Sequence, residues 1–284
     1  MAASYITDGL WTKAAVHLIV KILNNKWVLR VHPRLSPSIL FVSSKLCIKL
    51  TGFATLAQAD AMRFVAEHTS IPVPKVYCSF EHKGLVYILM ERLPGRMLID
   101  GWLARSEESK ARILAQLKGM IQELRSIPPP DNVAGVCNVN GGPIFDMRLP
   151  DKLYWGPFAT IYDFHRELRN GTEAFHTNSP GQERFPDMAR LIAFHDQAGF
   201  RPVFTHGDLS SLNILADGDK VTGIIDWETA GWMPPYWEYA TAWHVNPSNP
   251  FWREEVDGFL EPMVHELDME KIRRRYFGEF GIDM

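Results

Sequence analysis

The chain has 284 residues, 46% hydrophobic and 22% charged, with a formal net charge of −3. That is long enough for two lobes sharing a cleft, and it lacks the basic excess of a nucleic-acid binder. Cys47, Cys78 and Cys137 are scattered and odd in number, which excludes a disulfide framework or a cysteine metal spacing.

The first residues show no cationic stretch followed by an apolar one, and no apolar run reaches the roughly 20 residues of a membrane span. A cytoplasmic protein with no membrane, nucleic-acid or protein partner is expected. Residues 15–50 read as β-rich: "HLIVKIL", "KWVLRV" and "SILFVSSKLCIKL" are separated by Asn24-Asn25 and by a bend from Pro33 to Pro37. Residues 55–68 read as a helix, because Leu56, Ala59, Met62 and Val65 recur at helical spacing. The run "PKVYCSFEHKGLVYILMERL" predicts two strands joined around His82 to Gly84. Residues 1–92 thus predict a small antiparallel sheet with one helix, and residues 93–284 a larger, mainly helical part.

Within that second part, 106–126 predicts a long amphipathic helix begun by Ser106, with Glu107 and Glu108 in its first turn, and stopped by Pro128-Pro129-Pro130. Residues 131–157 are rich in Gly, Pro and Asn and read as surface loop. Further helices are predicted at 158–169, 185–198 and 252–277. No internal repeat or low-complexity run occurs.

The stretch "FTHGDLSSLNILADGDKVTGIIDWE", 204–228, sets four polar groups, His206, Asp208, Asn213 and Asp226, among apolar triplets. Its Asp-Gly pair signals a tight hairpin between Ile214–Ala216 and Val221–Ile225. Asn213 and Asp226 then meet at the hairpin's open end, with Asp208 close behind the "SSL" bend. An amide and two carboxylates converging there suit a hard cation such as Mg²⁺, and they suit turn capping equally well.

"HGDLSSLN" matches the protein-kinase catalytic loop H-R-D-L-x-x-x-N at His206, Asp208, Leu209 and Asn213, with Gly207 in place of arginine. Together with "IDWE", "TSIPVPKVY" at 69–77 and "MERLPG" at 90–95, it resembles the aminoglycoside phosphotransferase and choline kinase family, most of all its fungal branch, from about Lys49 to Tyr239. The resemblance implies an α+β, bilobal protein-kinase-like fold with a nucleotide-binding N-lobe at 1–92 and a catalytic, acceptor-binding C-lobe at 93–284. It implies ATP and Mg²⁺ and transfer of the γ-phosphate to the hydroxyl of a small molecule. Asp208 would be the base, and His206 a catalytic-loop residue that supports the loop by hydrogen bonding. Asn213 and Asp226 would hold the metal. Lys49, closing "LCIK", would hold the phosphates, and main-chain groups of Glu91 and Leu93 the adenine. Glu238 would buttress the site, and Trp227, Trp232 and Trp237 would be core.

Two departures stand out. The lysine's usual helix glutamate is replaced by Gln58, with Asp60 and Glu67 the nearest acids. No glycine lies between Gly9 and Gly52, so backbone around Arg34 to Ser38 and the Ser36 or Ser38 hydroxyl would have to cover the phosphates. With no A-P-E and no room for an activation loop after Asp226, the acceptor is expected to be a small molecule. Two alternatives remain. One is a nucleotide-binding pseudokinase or scaffold. The other is a metal hydrolase using His206, Asp208, Asp226 and His244.

Overall fold

The structure, a computed structural model, describes residues 9–31, 38–53, 55–173, 186–197, 199–244 and 249–278. Four antiparallel strands, β1 (Ile39–Phe41), β2 (Leu46–Thr51), β3 (Val76–His82) and β4 (Leu85–Glu91), form a sheet in the order β1-β2-β4-β3. Alternation along β2 and β4 decides which side chain faces what. Ile48, Leu50, Tyr87 and Leu89 join one cluster with Val16 and Val20 of α1 (Leu10–Leu23). Cys47, Val86, Ile88 and Met90 join another with Ala59, Met62 and Val65 of α3 (Ala57–His68). Lys49 shares the parity of Cys47, so it points to the α3 side.

Helix α1, and after it α2 (Lys26–Val31), correct the expectation of strands at "HLIVKIL" and "KWVLRV". A short apolar run has no periodicity that separates a strand from a packed helix. Here Val16 and Val20, four apart, are buried against the sheet, and Asn24 caps the helix end. The first lobe therefore carries two helices more than the one expected. Residues 32–37 lie outside the described residues, and with them the phosphate-covering stretch expected from Arg34 to Ser38 apart from Ser38 itself, as do 185 and 198 of the helix expected at 185–198.

Past β4 the chain forms β5 (Arg96–Met97) and then α4 (Glu107–Ser126), whose N-cap Ser106 accepts from the Ser109 amide and whose first turn holds Glu107 and Glu108. Such a cap contributes about 1 kcal/mol. Strands β9 (Ile214–Asp217) and β10 (Lys220–Ile224) pair across the expected tight turn, and β5 adds to β9. Asp219 in that turn is fixed to α4: its carboxylate takes Ser109 Oγ at 2.5 Å and Arg112 Nε at 2.8 Å, and its carbonyl takes Gln116 Nε2 at 2.7 Å.

Residues 131–157 do not run over the surface as expected. They carry β6 (Ile144–Phe145) paired with β7 (Tyr154–Trp155), bridge from Cys137 to Trp232, and bury Val136, Ile144, Phe145, Leu149 and Trp155. Helices α5 (Ile161–Leu168), α6 (Met188–Gln197), α7 (Trp237–Trp243) and α8 (Val264–Phe277) complete the second lobe, with β8 (Val203–Thr205) paired to β11 (Gly231–Met233). The stretch expected to be one helix from 252 begins instead as 3-10 turns at Pro250–Glu254 and Val256–Gly258. Cys47, Cys78 and Cys137 are free and buried. No helix among the described residues is long and apolar enough to cross a membrane.

Candidate active site

The site gathers where β2, the end of β8 and the open end of the β9–β10 hairpin meet. Strand β8 delivers "HGD", and the backbone there is held from three sides. Glu238, on the first turn of α7 and 1% exposed, accepts the amides of His206 at 2.7 Å and Gly207 at 3.0 Å. Burial pushes its carboxyl pKa up, against the pull of His206, Arg125 and those two N–H groups. The Asp208 amide donates to His206 Nδ1 at 3.1 Å, which leaves Nε2–H to donate to the Ile225 carbonyl at 2.9 Å. His206 is fully buried, with Trp227 edge-on at 4.5 Å. Both ring nitrogens are thus spent on the loop, which fits the supporting role and removes the arrangement a His/Asp metal hydrolase would need. Gly207 has φ +81°, and a Cβ there would stand 3.0 Å from the Thr229 carbonyl oxygen. A side chain there would be strained by the backbone and tight against Thr229.

Asn213 Nδ2 donates to the Asp208 carbonyl at 2.9 Å and to Asp208 Oδ2 at 2.7 Å. The Ile225 amide donates to the Asn213 carbonyl at 2.9 Å, so Asp226 is the next residue along from Asn213's partner. The hairpin therefore brings Asp208, Asn213 and Asp226 together. Asp226 sits in the left-handed region at φ 65°, ψ 60° and opens the 3-10 turn Trp227–Thr229. For a non-glycine residue that conformation costs of order 1–3 kcal/mol and needs a surrounding structure that enforces it.

Lys49 Nζ lies 2.6 Å from Asp226 Oδ1 and 2.9 Å from Glu228 Oε2. Gln58 Nε2 reaches the same Asp226 oxygen at 3.3 Å. Asp60, the alternative partner for Lys49, is engaged with Arg63 at 2.8 Å and Asn140 at 2.8 Å instead. Burial pulls the Lys49 pKa down, but Asp226 and Glu228 more than offset it, and the net shift is upward. Burial and the charge of Asp226 raise Glu228, since two carboxylates share one ammonium. Glu91 ends β4, its carbonyl accepting from Cys47 Sγ at 3.7 Å. The Leu93 side chain lies over Gly223, and its amide has no hydrogen-bond partner among the described residues.

Sequence reading missed Arg148. It forks onto Asp146 at 2.8 and 2.7 Å, reaches Asp208 Oδ1 at 3.2 Å, and donates to the Gly207 carbonyl at 2.5 Å. Burial lowers its pKa, but Asp146 and Asp208 raise it further, and the net shift is upward. The available signal was an arginine inside the apolar string "PIFDMRLPDKLYW", where a cation needs an anionic partner. Reading 131–157 as surface loop hid it.

Oxygen donors suited to a hard divalent cation are present. Asn213 Oδ1 and Asp226 Oδ2 take no protein donor among the described residues. No group of three or more His, Cys, Asp or Glu side chains able to hold a metal occurs there. A site of two protein ligands completed by phosphate oxygens and water is the mode usual for Mg²⁺. A cavity of about 630 Å³ between α6 and α8, lined by Phe194, Phe200 and Met269, holds none of these residues. The charged groups gathered at the end of β8 and the hairpin's open end, not that cavity, are the chemically equipped place.

Comparisons with known proteins bear on the family and the fold. Residues 24–273 match the model of a family described as "Phosphotransferase enzyme family". An aminoglycoside 3'-phosphotransferase of Niallia circulans is 26% identical over 61% of this chain and 58% of its own length. One of Escherichia coli is 24% identical over 75% of this chain and 65% of its own. A probable acyl-CoA dehydrogenase of Arabidopsis thaliana, IBR3, is 26% identical over 60% of this chain, which spans only 20% of that protein. The chain thus spans less than two thirds of these relatives. Among solved structures, a thermostable mutant of aminoglycoside phosphotransferase APH(4)-Ia in ternary complex with AMP-PNP and hygromycin B superposes with a TM-score of 0.56 at 17% identity, covering 88% of both chains. ADP-bound APH(2'')-Ib gives 0.54 at 12% identity, covering 90% of this chain and 85% of that one.

Proposed function

Because the chain belongs to the phosphotransferase enzyme family, we propose that it transfers the γ-phosphate of ATP, with Mg²⁺, to a hydroxyl of a small molecule. The observation that carries this reading is the convergence of Lys49 from β2 with Asp208, Asn213 and Asp226 from the stretch 204–228. Phosphoryl transfer leaves the protein mainly positioning and electrostatics to supply. Asp208, its Oδ2 held by Asn213 and its Oδ1 by Arg148, orients the incoming hydroxyl and takes its proton. Asn213 Oδ1 and Asp226 would hold Mg²⁺, which neutralises charge on the phosphates when bound. Lys49 steadies the phosphates, and the Glu91 carbonyl and Leu93 amide receive the adenine. The division into lobes at 92 and 93 belongs to the same proposal.

Acceptor chemistry follows from how the acids of the second lobe are used. Glu228 is paired with Lys49, and Glu238 holds the catalytic loop. Glu255 accepts from Trp102 Nε1 and Asp257 from the Tyr239 hydroxyl, each at 2.8 Å. A polycationic aminoglycoside needs several uncommitted carboxylates to offset the desolvation of its ammonium groups. Of the six acids from Glu228 to Glu261, these four are engaged within the protein. Glu254 and Glu261 are left, too few for several ammonium groups, so we assign an uncharged or singly charged hydroxylated metabolite as acceptor.

Thermal-shift titration tests the core of the reading. Mg·ATP should stabilise the wild type and lose its Mg²⁺ dependence in Asp226→Ala; unchanged stabilisation in that variant rules the assignment out. ADP release with both acceptor classes, at low and high salt, tests the rest. Efficient aminoglycoside turnover that collapses at high ionic strength overturns the acceptor assignment. A Mg·ATP shift with no acceptor turned over would favour the pseudokinase.

A further inference from the structure

Lys49 is 6% exposed, and its two carboxylate partners are not equivalent. Asp226 Oδ1 serves Lys49 and Gln58 together, and Asp226 is also the carboxylate proposed above for the metal. Glu228 Oε2, in contrast, has Lys49 as its one hydrogen-bond donor among the described residues. In protein kinases a glutamate from the helix beside the sheet holds the strand lysine. Helix α3 brings Gln58 to that place. Gln58 is 2% exposed, and its Oε1 is buried with no partner. A buried polar atom left unsatisfied costs roughly 1–3 kcal/mol. An amide has come to a position built around a charge, without supplying one.

We propose that Glu228 is the positioning residue for Lys49, supplying from the turn after Asp226 the counter-charge that α3 lacks. The inference rests on the phosphotransferase reading. When Asp226 engages a divalent cation its hold on Lys49 weakens, and a buried ammonium cannot stand alone. Asp60 is committed to Arg63 and Asn140, so Glu228 is the remaining acid in reach. The turn that carries Glu228 packs directly on α3. The lysine is therefore tied to the same junction as in kinases, with the charge moved to its other side.

A charge exchange tests this. Gln58 and Lys49 reach the same oxygen, so a carboxylate at 58 lies within a side-chain rotation of the ammonium. Glu228→Gln should weaken Mg·ADP binding about tenfold or more, the scale of a lost charge-assisted hydrogen bond, and leave the urea midpoint of the nucleotide-free protein nearly unchanged, because Asp226 still holds Lys49 there. Gln58→Glu alone sets three carboxylates about one ammonium and should lower both affinity and midpoint. The double variant should recover affinity and midpoint to within a few-fold of wild type, with kcat recovering more than KM. A double variant no better than the worse single overturns the proposal. So does a rise in the Mg²⁺ concentration needed for half-maximal binding that the exchange fails to correct, which would make Glu228 a metal ligand. Recovery of the urea midpoint while no form binds Mg·ADP would keep the Lys49–Glu228 link and sink the phosphotransferase reading.

Discussion

Arg148 joins a segment outside the catalytic loop to its aspartate. Its fork onto Asp146, which is 3% exposed, fixes the guanidinium; Nη2 of that fork also donates to the Gly207 carbonyl, and Nη1 reaches Asp208. Arg148→Ala should cost about 3–5 kcal/mol in urea unfolding, because it strands the Asp146 carboxylate. Arg148→Lys keeps the charge but loses the planar fork, and should lower kcat with little change in nucleotide affinity. Equal kcat for Arg148→Lys and wild type would show that the fork does not orient Asp208. Asp208→Asn should leave Mg·ATP binding nearly intact and lower turnover by about 10²-fold or more, the range expected for loss of a general base. Single-turnover kinetics with a known acceptor would measure it, and equal rates would make Asp208 structural.

At the scale of elements, the β9–β10 hairpin was legible because its Asp-Gly turn and its alternation agree, and it carried Asn213 and Asp226 correctly to one end. Its attachment to α4 was not. Asp219→Ala removes the carboxylate that accepts from Ser109 and Arg112. It should lower the unfolding free energy by about 1–2 kcal/mol, the scale of one or two hydrogen bonds, as read by thermal melting. Helix α4 was legible from its cap and from the three prolines after it. Helix α1 was not, since Val16 and Val20 fit a strand as well as a helix until the sheet beneath them is known. The reach of Arg148 to Asp208, Glu228 as a partner of Lys49, and the bond from Asn140 to Asp60 are contacts between distant segments, and neither spacing nor periodicity encodes them. Gly207 was legible as a departure from arginine, while the contacts that favour glycine there, a left-handed backbone and the nearby Thr229 carbonyl 22 residues on, were not.

Across the whole molecule, the second lobe buries histidines that the proposed chemistry does not use. His165 and His195 stack at 4.3 Å, near Arg169 and Arg273 and with Glu270 and Asp196 also close. Burial, with the neighbouring cations, lowers the pKa of His165 to about 4 and that of His195 well below its ordinary value. Burial and Arg274 lower His244 to about 4. A folded-state pKa below the unfolded value means that the unfolded chain binds the proton first. The stability these neutral rings allow is therefore present above about pH 6.5 and is lost as pH falls from there toward 4, at up to ~1.4 kcal/mol per pH unit for each ring. Urea midpoints between pH 7 and 4.5 should show a steep fall that His195→Phe makes shallower; an unchanged slope would remove these histidines from the acid response.

Lys49 and Asp226 stand 177 residues apart along the chain. At the roughly 5–20 residues per second of synthesis, about ten to thirty seconds pass between the emergence of one and of the other. Through that interval the first sheet and α3 are complete in sequence but lack the turn that packs on α3, and Lys49 has neither of its carboxylates. The first lobe is thus synthesised well before the counter-charges of its buried lysine, and the candidate site can form only after the turn at Asp226 has emerged.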